Sequence, residues 1–166
     1  MPVISVEIGD HCYHGLCDIG ASVSAIPYTL YQEIMKDIAP AELEEIDVTM
    51  KLANRDTISP IGIVRDVEVL CGKIKYPTDF LVLGSPQDYF CPIIFGRPFL
   101  NTVNARIDCE KQTVGVSFGN ESHEFNFSKF SRNHHEKELP TLVCVGPKQI
   151  VFNPFPRRHL EPSTSE

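Results

Sequence analysis

The stretch Leu16-Cys17-Asp18-Ile19-Gly20-Ala21-Ser22 decides the fold, because it carries one carboxylate out of an apolar run and into a tight glycine turn. Upstream, residues 3–8 alternate between apolar and polar side chains, as a half-buried strand does. Gly9-Asp10 has the composition of a two-residue hairpin turn, and residues 12–16 return as a second strand. The pattern therefore predicts a β-hairpin that presents Asp18 at the end of its second strand.

Asp18 has two interpretations from the residues alone. An Asp-x-Gly sequence is common in ordinary turns, where the Asp side chain bonds the backbone two residues further on. A carboxylate presented at a strand end is also suited to general acid–base catalysis. The surrounding sequence decides between the two.

The patterns downstream predict one longer helix, one short helix and several strands. Leu30, Ile34 and Ile38 recur every four residues after Pro27, which is typical of an amphipathic helix with Pro at its start. A short apolar run at residues 93–95 suits a buried central strand. The remaining predicted elements are strands at 48–53, 57–69, 74–83, 105–109 and 113–118, an edge strand about Phe125 and Phe127, and a short helix from Arg97. The strand at 57–69 is predicted to be interrupted by Pro60 and Gly62.

The second informative stretch is Pro92-Ile93-Ile94-Phe95-Gly96-Arg97-Pro98-Phe99-Leu100, in which two apolar residues and a Gly precede a short helix. Together with the Asp18 stretch, in that order, it resembles the two signatures of retropepsin-like aspartic proteases. The pattern is most similar to the polyprotein proteases of plant long-terminal-repeat retrotransposons, which often have an aliphatic residue between Asp and Gly. The resemblance covers roughly residues 1–118 and implies a mainly β fold, a closed six-stranded barrel with one or two short helices.

The resemblance also implies a set of site residues. Asp18 would be catalytic, within an active-site loop that continues through Ile19, Gly20, Ala21 and Ser22. The second signature, with Ile93, Ile94 and Gly96, would lie beneath that loop. The turn after the strand at 48–53 would be the tip of the flap, a mobile β-ribbon that closes over the bound peptide; without the resemblance it is an ordinary surface hairpin. The flap candidates are Ala53, Asn54, Arg55, Asp56 and Thr57.

Peptide hydrolysis by carboxylates needs two of them, one ionised to activate a water and one protonated to polarise the substrate carbonyl. The chain contains a single Asp-x-Gly-Ala-Ser motif, so the resemblance implies a homodimer in which each subunit supplies Asp18. The substrate would be a polypeptide, including the parent polyprotein, and no cofactor is implied.

Two departures from the family pattern keep a second hypothesis open. Ile19 stands where the family usually has Thr or Ser, whose hydroxyl bonds across the dimer axis. Family members usually also have a strand upstream of the position of Val3, so the resemblance implies a weak dimer here. The alternative is a catalytically degenerate domain that acts as a peptide-binding or dimerisation module, or a retroelement remnant.

Composition excludes several function classes. The 166 residues are 42% apolar and carry a net charge of −7, with 9 Lys and Arg against 18 Asp and Glu in residues 1–128. Nucleic-acid binding needs clustered basic residues, so no nucleic-acid binding is predicted.

The six cysteines, at 12, 17, 71, 91, 109 and 144, form no CxxC pair. His11 and His14 beside Cys12 lack the spacing of a zinc site, so we predict no metal. Without a signal peptide or a membrane span, a cytoplasmic protein is predicted.

The character of the sequence changes after the predicted protease domain at 1–128. Residues 129–166 begin with a polar run and contain five prolines, at 140, 147, 154, 156 and 162. This composition is typical of a Pro-rich, largely flexible tail or linker. Two apolar runs inside it, at 142–145 and 150–152, predict segments that dock on the domain or on another molecule.

Overall fold

The described part of the chain is built mainly from β-strands. The computed structural model describes residues 1–38, 42–51, 57–84, 92–130 and 143–145. Two α-helices, α1 (Tyr28–Asp37) and α2 (Arg97–Thr102), accompany the strands, and a 3-10 turn spans Ser128–Phe130. The strands are β1 (Val3–Ile8), β2 (His11–Cys17), β3 (Ser24–Pro27), β4 (Thr49–Lys51), β5 (Thr57–Ile58), β6 (Gly62–Cys71), β7 (Ile74–Leu83), β8 (Ile93–Phe95), β9 (Arg106–Asp108), β10 (Thr113–Phe118), β11 (Glu121–Asn126) and β12 (Val143–Val145).

Six of these strands close into a barrel in the order β1-β2-β8-β3-β7-β6. The predicted first hairpin forms the antiparallel pair β1–β2, with Val3 opposite Leu16 and a positive φ of 60° at Gly9 in the turn. Strand β8 lies between β2, to which it is parallel, and β3, to which it is antiparallel. The barrel and the two helices confirm the predicted mainly β, closed six-stranded architecture.

The core lies inside the barrel and is rich in aromatic side chains. Tyr76, Phe80 and Phe95 are its largest fully buried residues. Phe95 stacks on Phe99 of α2 with ring centroids 4.0 Å apart, and it lies 6.1 Å from the ring of Phe80. These contacts fix β8 and α2 against β7, and aromatic pairs of this kind contribute about 0.5–1.5 kcal/mol beyond their buried area.

The structure differs from the sequence prediction at one strand of the barrel. Residues 24–27, which carried no strand prediction, form β3, and α1 begins at Tyr28 with Pro27 as its N-cap. All four β3 residues are buried, so the strand lacks the alternation that identifies a half-buried one. The predicted interruption of the return strand at 57–69 is confirmed, because Pro60 lies between β5 and β6 and Gly62 is the first residue of β6.

A bulge in β6 joins the segment before β4 to the barrel. Asp66 has a φ of 53°, and its N–H donates to Oδ1 of Asp79 at 2.9 Å. Arg65 donates to Oδ2 of Asp79 at 3.0 Å and to Oε2 of Glu44 at 3.1 Å. Glu44 also exchanges backbone hydrogen bonds with Ile63. The chain therefore reaches the β4–β5 hairpin from a fixed position on the barrel wall.

Two small sheets complete the described structure. Strands β9, β10 and β11 form one, in the order β11-β10-β9. The other has the order β12-β4-β5, so that Val143–Val145, from the region predicted as a tail, pairs with β4. The remaining residues of that region beyond Phe130 lie outside the described residues, and the tail stays a prediction.

One buried hydroxyl in the core yields a stability prediction. The Tyr76 hydroxyl has no hydrogen-bond partner among the described residues, while its ring packs edge-on against Phe99 and Phe118. Burial and nearby Cys71 raise the pKa of Tyr76 to about 12. An unsatisfied buried polar group costs about 1–3 kcal/mol. We expect Tyr76→Phe to leave the free energy of unfolding unchanged or to raise it by about 1 kcal/mol, as measured by urea denaturation.

The matched comparison is Tyr76→Ala, which removes the ring as well. It should lower the free energy of unfolding by about 3–5 kcal/mol through the cavity that it leaves. A loss above about 1 kcal/mol in Tyr76→Phe would show that the hydroxyl makes a hydrogen bond.

Candidate active site

Asp18 lies directly after β2, where the chain leaves the barrel. Cys17, the last residue of β2, is buried and opposite Phe95 of β8. The N–H of Asp18 donates to the carbonyl oxygen of Phe95 at 3.0 Å, which extends the parallel pairing by one hydrogen bond. The strand thus places Asp18 at one end of the barrel, where the residue is partly exposed.

The turn after β2 orients the Asp18 carboxylate. The N–H of Gly20 donates to Oδ1 of Asp18 at 2.8 Å, and the N–H of Ala21 donates to the carbonyl oxygen of Asp18 at 3.1 Å. The first contact is the local side-chain bond that Asp residues make in turns. The contact holds Oδ1 against the backbone of the turn and so limits the orientations open to the carboxylate.

Ile19 is the most exposed large apolar side chain beside the carboxylate. It is 72% exposed, whereas Ala21 two residues later is fully buried. Ser22 is partly buried. The predicted loop therefore has an anchored end at Ala21 and an outward-facing apolar residue next to Asp18.

The second signature lies against the loop that carries Asp18. The N–H of Gly96 donates to Oγ of buried Ser24 at 3.1 Å, and the N–H of Arg97 donates to the carbonyl oxygen of Ala21 at 3.0 Å. A Cβ on Gly96 would lie 2.3 Å from the carbonyl oxygen of Val23 and 2.9 Å from its nitrogen. Only glycine allows the two backbones to approach this closely.

Ile93 and Ile94 face different parts of the interior. Ile93 is fully buried in the main core and Ile94 is 8% exposed. Ile94 belongs to a smaller group, called here the loop cluster, whose members come from the Asp18 loop, the barrel and β4. They are Ala21, Val23, Ala25, Met50, Ile63, Leu81 and Ile94.

Two residues near the loop were missed by the sequence interpretation. The Arg97 side chain donates from Nη1 to the carbonyl oxygens of Ile19 and Gly20, at 3.3 and 3.2 Å. Ser24 supplies the oxygen that receives the Gly96 N–H. An Arg after a strand-ending Gly was visible in the sequence, but nothing in the pattern showed that its side chain turns back to the loop.

The base of the candidate flap is joined to the same loop. Met50 of β4 is fully buried in the loop cluster, and Ile58 of β5 packs against it. Thr57 is exposed and lies opposite Lys51. The other flap candidates, Ala53, Asn54, Arg55 and Asp56, lie outside the described residues.

The described residues contain neither a candidate metal-binding cluster nor a helix that could span a membrane. Within them, no three His, Cys, Asp or Glu side chains lie close enough together to hold a metal ion. None of the helices in this part of the chain has the length and apolar content to cross a bilayer.

Comparison with known proteins shows the fold. No family model matches the sequence, and no curated protein matches it either. Among solved structures, the chain is similar to the retroviral protease-like domain of Ddi1 from Leishmania major, with a TM-score of 0.51 and 16% identity. The match covers 70% of this chain and 87% of that one. The fold is therefore retropepsin-like, as the two sequence signatures predicted.

The close approach at Gly96 predicts that an alanine there destabilises the protein, whereas an alanine at an uncrowded glycine does not. Gly96→Ala should lower the free energy of unfolding by about 2–4 kcal/mol, because the new methyl group meets backbone atoms of Val23 that cannot rotate away. Thermal and urea unfolding would measure the loss.

Gly115 of β10 provides the matched control. A Cβ there comes no nearer than 4.0 Å to another atom, so Gly115→Ala should be neutral or stabilising by about 0.5 kcal/mol. Equal losses in the two variants would contradict the packing described for Gly96.

Proposed function

We propose that the protein is an aspartic endopeptidase of retropepsin type that acts as a homodimer. The observation that carries the proposal is the setting of Asp18. Asp18 directly follows a barrel strand, and its carboxylate accepts a hydrogen bond from the Gly20 N–H. The loop that carries it contacts Gly96 and Arg97. The retropepsin-like fold supports the same conclusion.

The chemistry requires two carboxylates in different protonation states. Two carboxyl groups about 3 Å apart share one proton, so that one is a base for water and the other an acid toward the substrate carbonyl. The chain has one such motif. The second carboxylate is therefore Asp18 of a second copy, related by a twofold axis that passes between the two loops.

Ile19 and Arg97 take the place of the usual hydroxyl in this proposal. The outward-facing Ile19 lies beside Asp18, so in the dimer it packs against its counterpart near the axis. Arg97 holds the carbonyl groups of Ile19 and Gly20 within one subunit. The loop is thus shaped inside each subunit, and apolar contact replaces a hydrogen bond between subunits.

The substrate class follows from the proposed reaction. The enzyme hydrolyses extended polypeptides, and the sequence resemblance points to the parent polyprotein of a plant long-terminal-repeat retrotransposon. The second candidate function is a degenerate domain that binds peptides without cutting them. Ile19 favours this alternative, because it removes the hydroxyl that the family usually has at this position.

Asp18→Asn tests the proposed catalysis. Wild-type dimer should cleave an unstructured protein substrate, with higher rates toward the acidic end of about pH 4 to 7, because the shared proton must be retained. Asp18→Asn should lower cleavage at least about 1,000-fold, since the amide cannot act as the base. Substrate cleavage is followed by mass spectrometry, and oligomeric state by sedimentation.

The matched control is Asp10→Asn, which makes the same change at the exposed turn of the β1–β2 hairpin. It should cleave at the wild-type rate. A wild-type dimer that leaves the substrate intact would remove the protease proposal and favour the peptide-binding alternative.

Arg97→Ala tests the support of the loop. Arg97 is exposed, so its loss should change the melting temperature little. Because two hydrogen bonds to the loop disappear, kcat should fall about tenfold while KM and the dimer affinity stay near their wild-type values.

Arg106→Ala, at an exposed position of β9, is the control and should leave kcat unchanged. An Arg97→Ala enzyme with normal kcat would show that the Asp18 loop keeps its geometry without the guanidinium.

A further inference from the structure

The β4–β5 hairpin has one edge covered by a distant part of the same chain. Strand β4 pairs with β5 on one side, through Met50–Ile58 and Lys51–Thr57. On its other side it pairs antiparallel with β12, in the register Val143–Lys51, Cys144–Met50 and Val145–Thr49. The central strand of this sheet therefore has its outer edge closed by Val143–Val145.

This third strand is held by a short ladder. It makes three residue pairs with β4, and β4 makes two with β5. Ladders of this length contribute little stability alone, and such elements open with small free energies. A covering strand of this kind can be exchanged for another extended chain without unfolding the barrel.

Strand β4, whose outer edge is covered, packs against the loop that carries Asp18. Met50, at the centre of β4, is fully buried in the loop cluster, together with Ala21 and Val23. Ala21 directly follows the Asp18–Gly20 turn, and its carbonyl oxygen accepts a hydrogen bond from the N–H of Arg97. A strand added to β4 is thus bound to an element that packs against the Asp18 loop.

We propose that the outer edge of β4 is a binding site for an extended polypeptide, and that Val143–Val145 occupies this site within the chain until an incoming peptide displaces it. The proposal rests on the proposed function in one respect, which is that the incoming polypeptide is the substrate. The edge then serves peptide capture, and the C-terminal segment lowers access to it.

The chemistry of the edge fits a polypeptide in extended conformation. An open strand edge offers alternating N–H and C=O groups, which an added strand satisfies by main-chain hydrogen bonds. Opposed residues lie on the same face of a sheet. The central residue of the bound peptide, opposite buried Met50, is therefore on the interior side and should be small and apolar. Its neighbours lie on the side of exposed Thr49 and Lys51, where polar residues are accepted.

The segment in the chain competes strongly because it is tethered. Because Val143–Val145 belongs to the same chain as β4, its effective concentration at the edge is on the order of millimolar, and free peptide must compete against that concentration. Breaking the β12 pairing should therefore tighten the binding of added peptide by about tenfold or more.

A disulfide between β4 and β12 tests the proposal directly. Lys51→Cys with Val143→Cys places two thiols at opposed positions, where Cα atoms of an antiparallel pair lie about 4.5–5.5 Å apart, within the range of a disulfide. Thr49→Cys with Val145→Cys is a second lock on the same face. The 166-residue protein carries Asp18→Asn, to prevent cleavage, and Cys144→Ala, to remove a competing thiol.

The probe is a fluorescent synthetic peptide with the sequence of residues 141–147, with Ala in place of its Cys, and binding is measured by fluorescence anisotropy. The oxidised double-cysteine protein should bind the peptide at least about tenfold more weakly than the same protein after reduction. Lys51→Cys alone, treated in the same way, should bind equally in both states. Val143→Pro with Val145→Pro, which removes backbone donors, should bind about tenfold more tightly than the parent protein.

The outcomes separate this inference from the proposed catalysis. Equal peptide binding by locked and reduced protein, or failure of both cysteine pairs to form a disulfide, would overturn it. If the proline variant fails to fold, the comparison of oxidised with reduced protein still decides. Because binding is read in an Asp18→Asn background, absence of proteolysis by the wild type leaves the binding result intact, and the reverse also holds.

Discussion

The close approach of two backbone segments at Gly96 is the constraint on which the candidate site depends. Strand β8 passes between β2 and β3, and where it ends, Gly96 lies against the backbone of Val23. This approach lets the N–H groups of Gly96 and Arg97 reach Ser24 and the carbonyl of Ala21. The position of the loop that carries Asp18 is thus set mainly by the packing of main chain on main chain.

Patterns with a local cause were predictable from the sequence, and long-range arrangements were not. The β1–β2 hairpin and α1 follow from alternation, a Gly turn and a four-residue repeat. The second signature was placed under the loop only through family resemblance. Strand β3 escaped because it is short and buried on both faces. The turn of Arg97 toward the loop and the pairing of β12 with β4 join residues far apart in the chain, and no local pattern encodes them.

The electrostatics of the loop differ from those of a loop closed by a hydroxyl. The Arg97 guanidinium, at the start of α2, donates hydrogen bonds to the carbonyl oxygens of Ile19 and Gly20, the two residues that follow Asp18. A positive charge is therefore bound to the same loop as the carboxylate. The exposed side chain of Ile19 adds no polar group to the loop. In the proposed dimer, the two Asp18 carboxyl groups meet at the axis with the apolar Ile19 side chains beside them, while the polar contacts that shape each loop remain inside one subunit.

The parallel pairing of β2 with β8 also has a consequence for biosynthesis. The hydrogen bond from Gly96 to Ser24 joins residues 72 positions apart, and those from Arg97 span 77 and 78. Contacts of such separation form late, because a long loop must close before they are made. During translation, residues 1–92 can leave the ribosome and form hairpins without an assembled loop around Asp18. The loop around Asp18 is therefore completed only after the segment from β8 through α2 has been synthesised, when most of the barrel has been made.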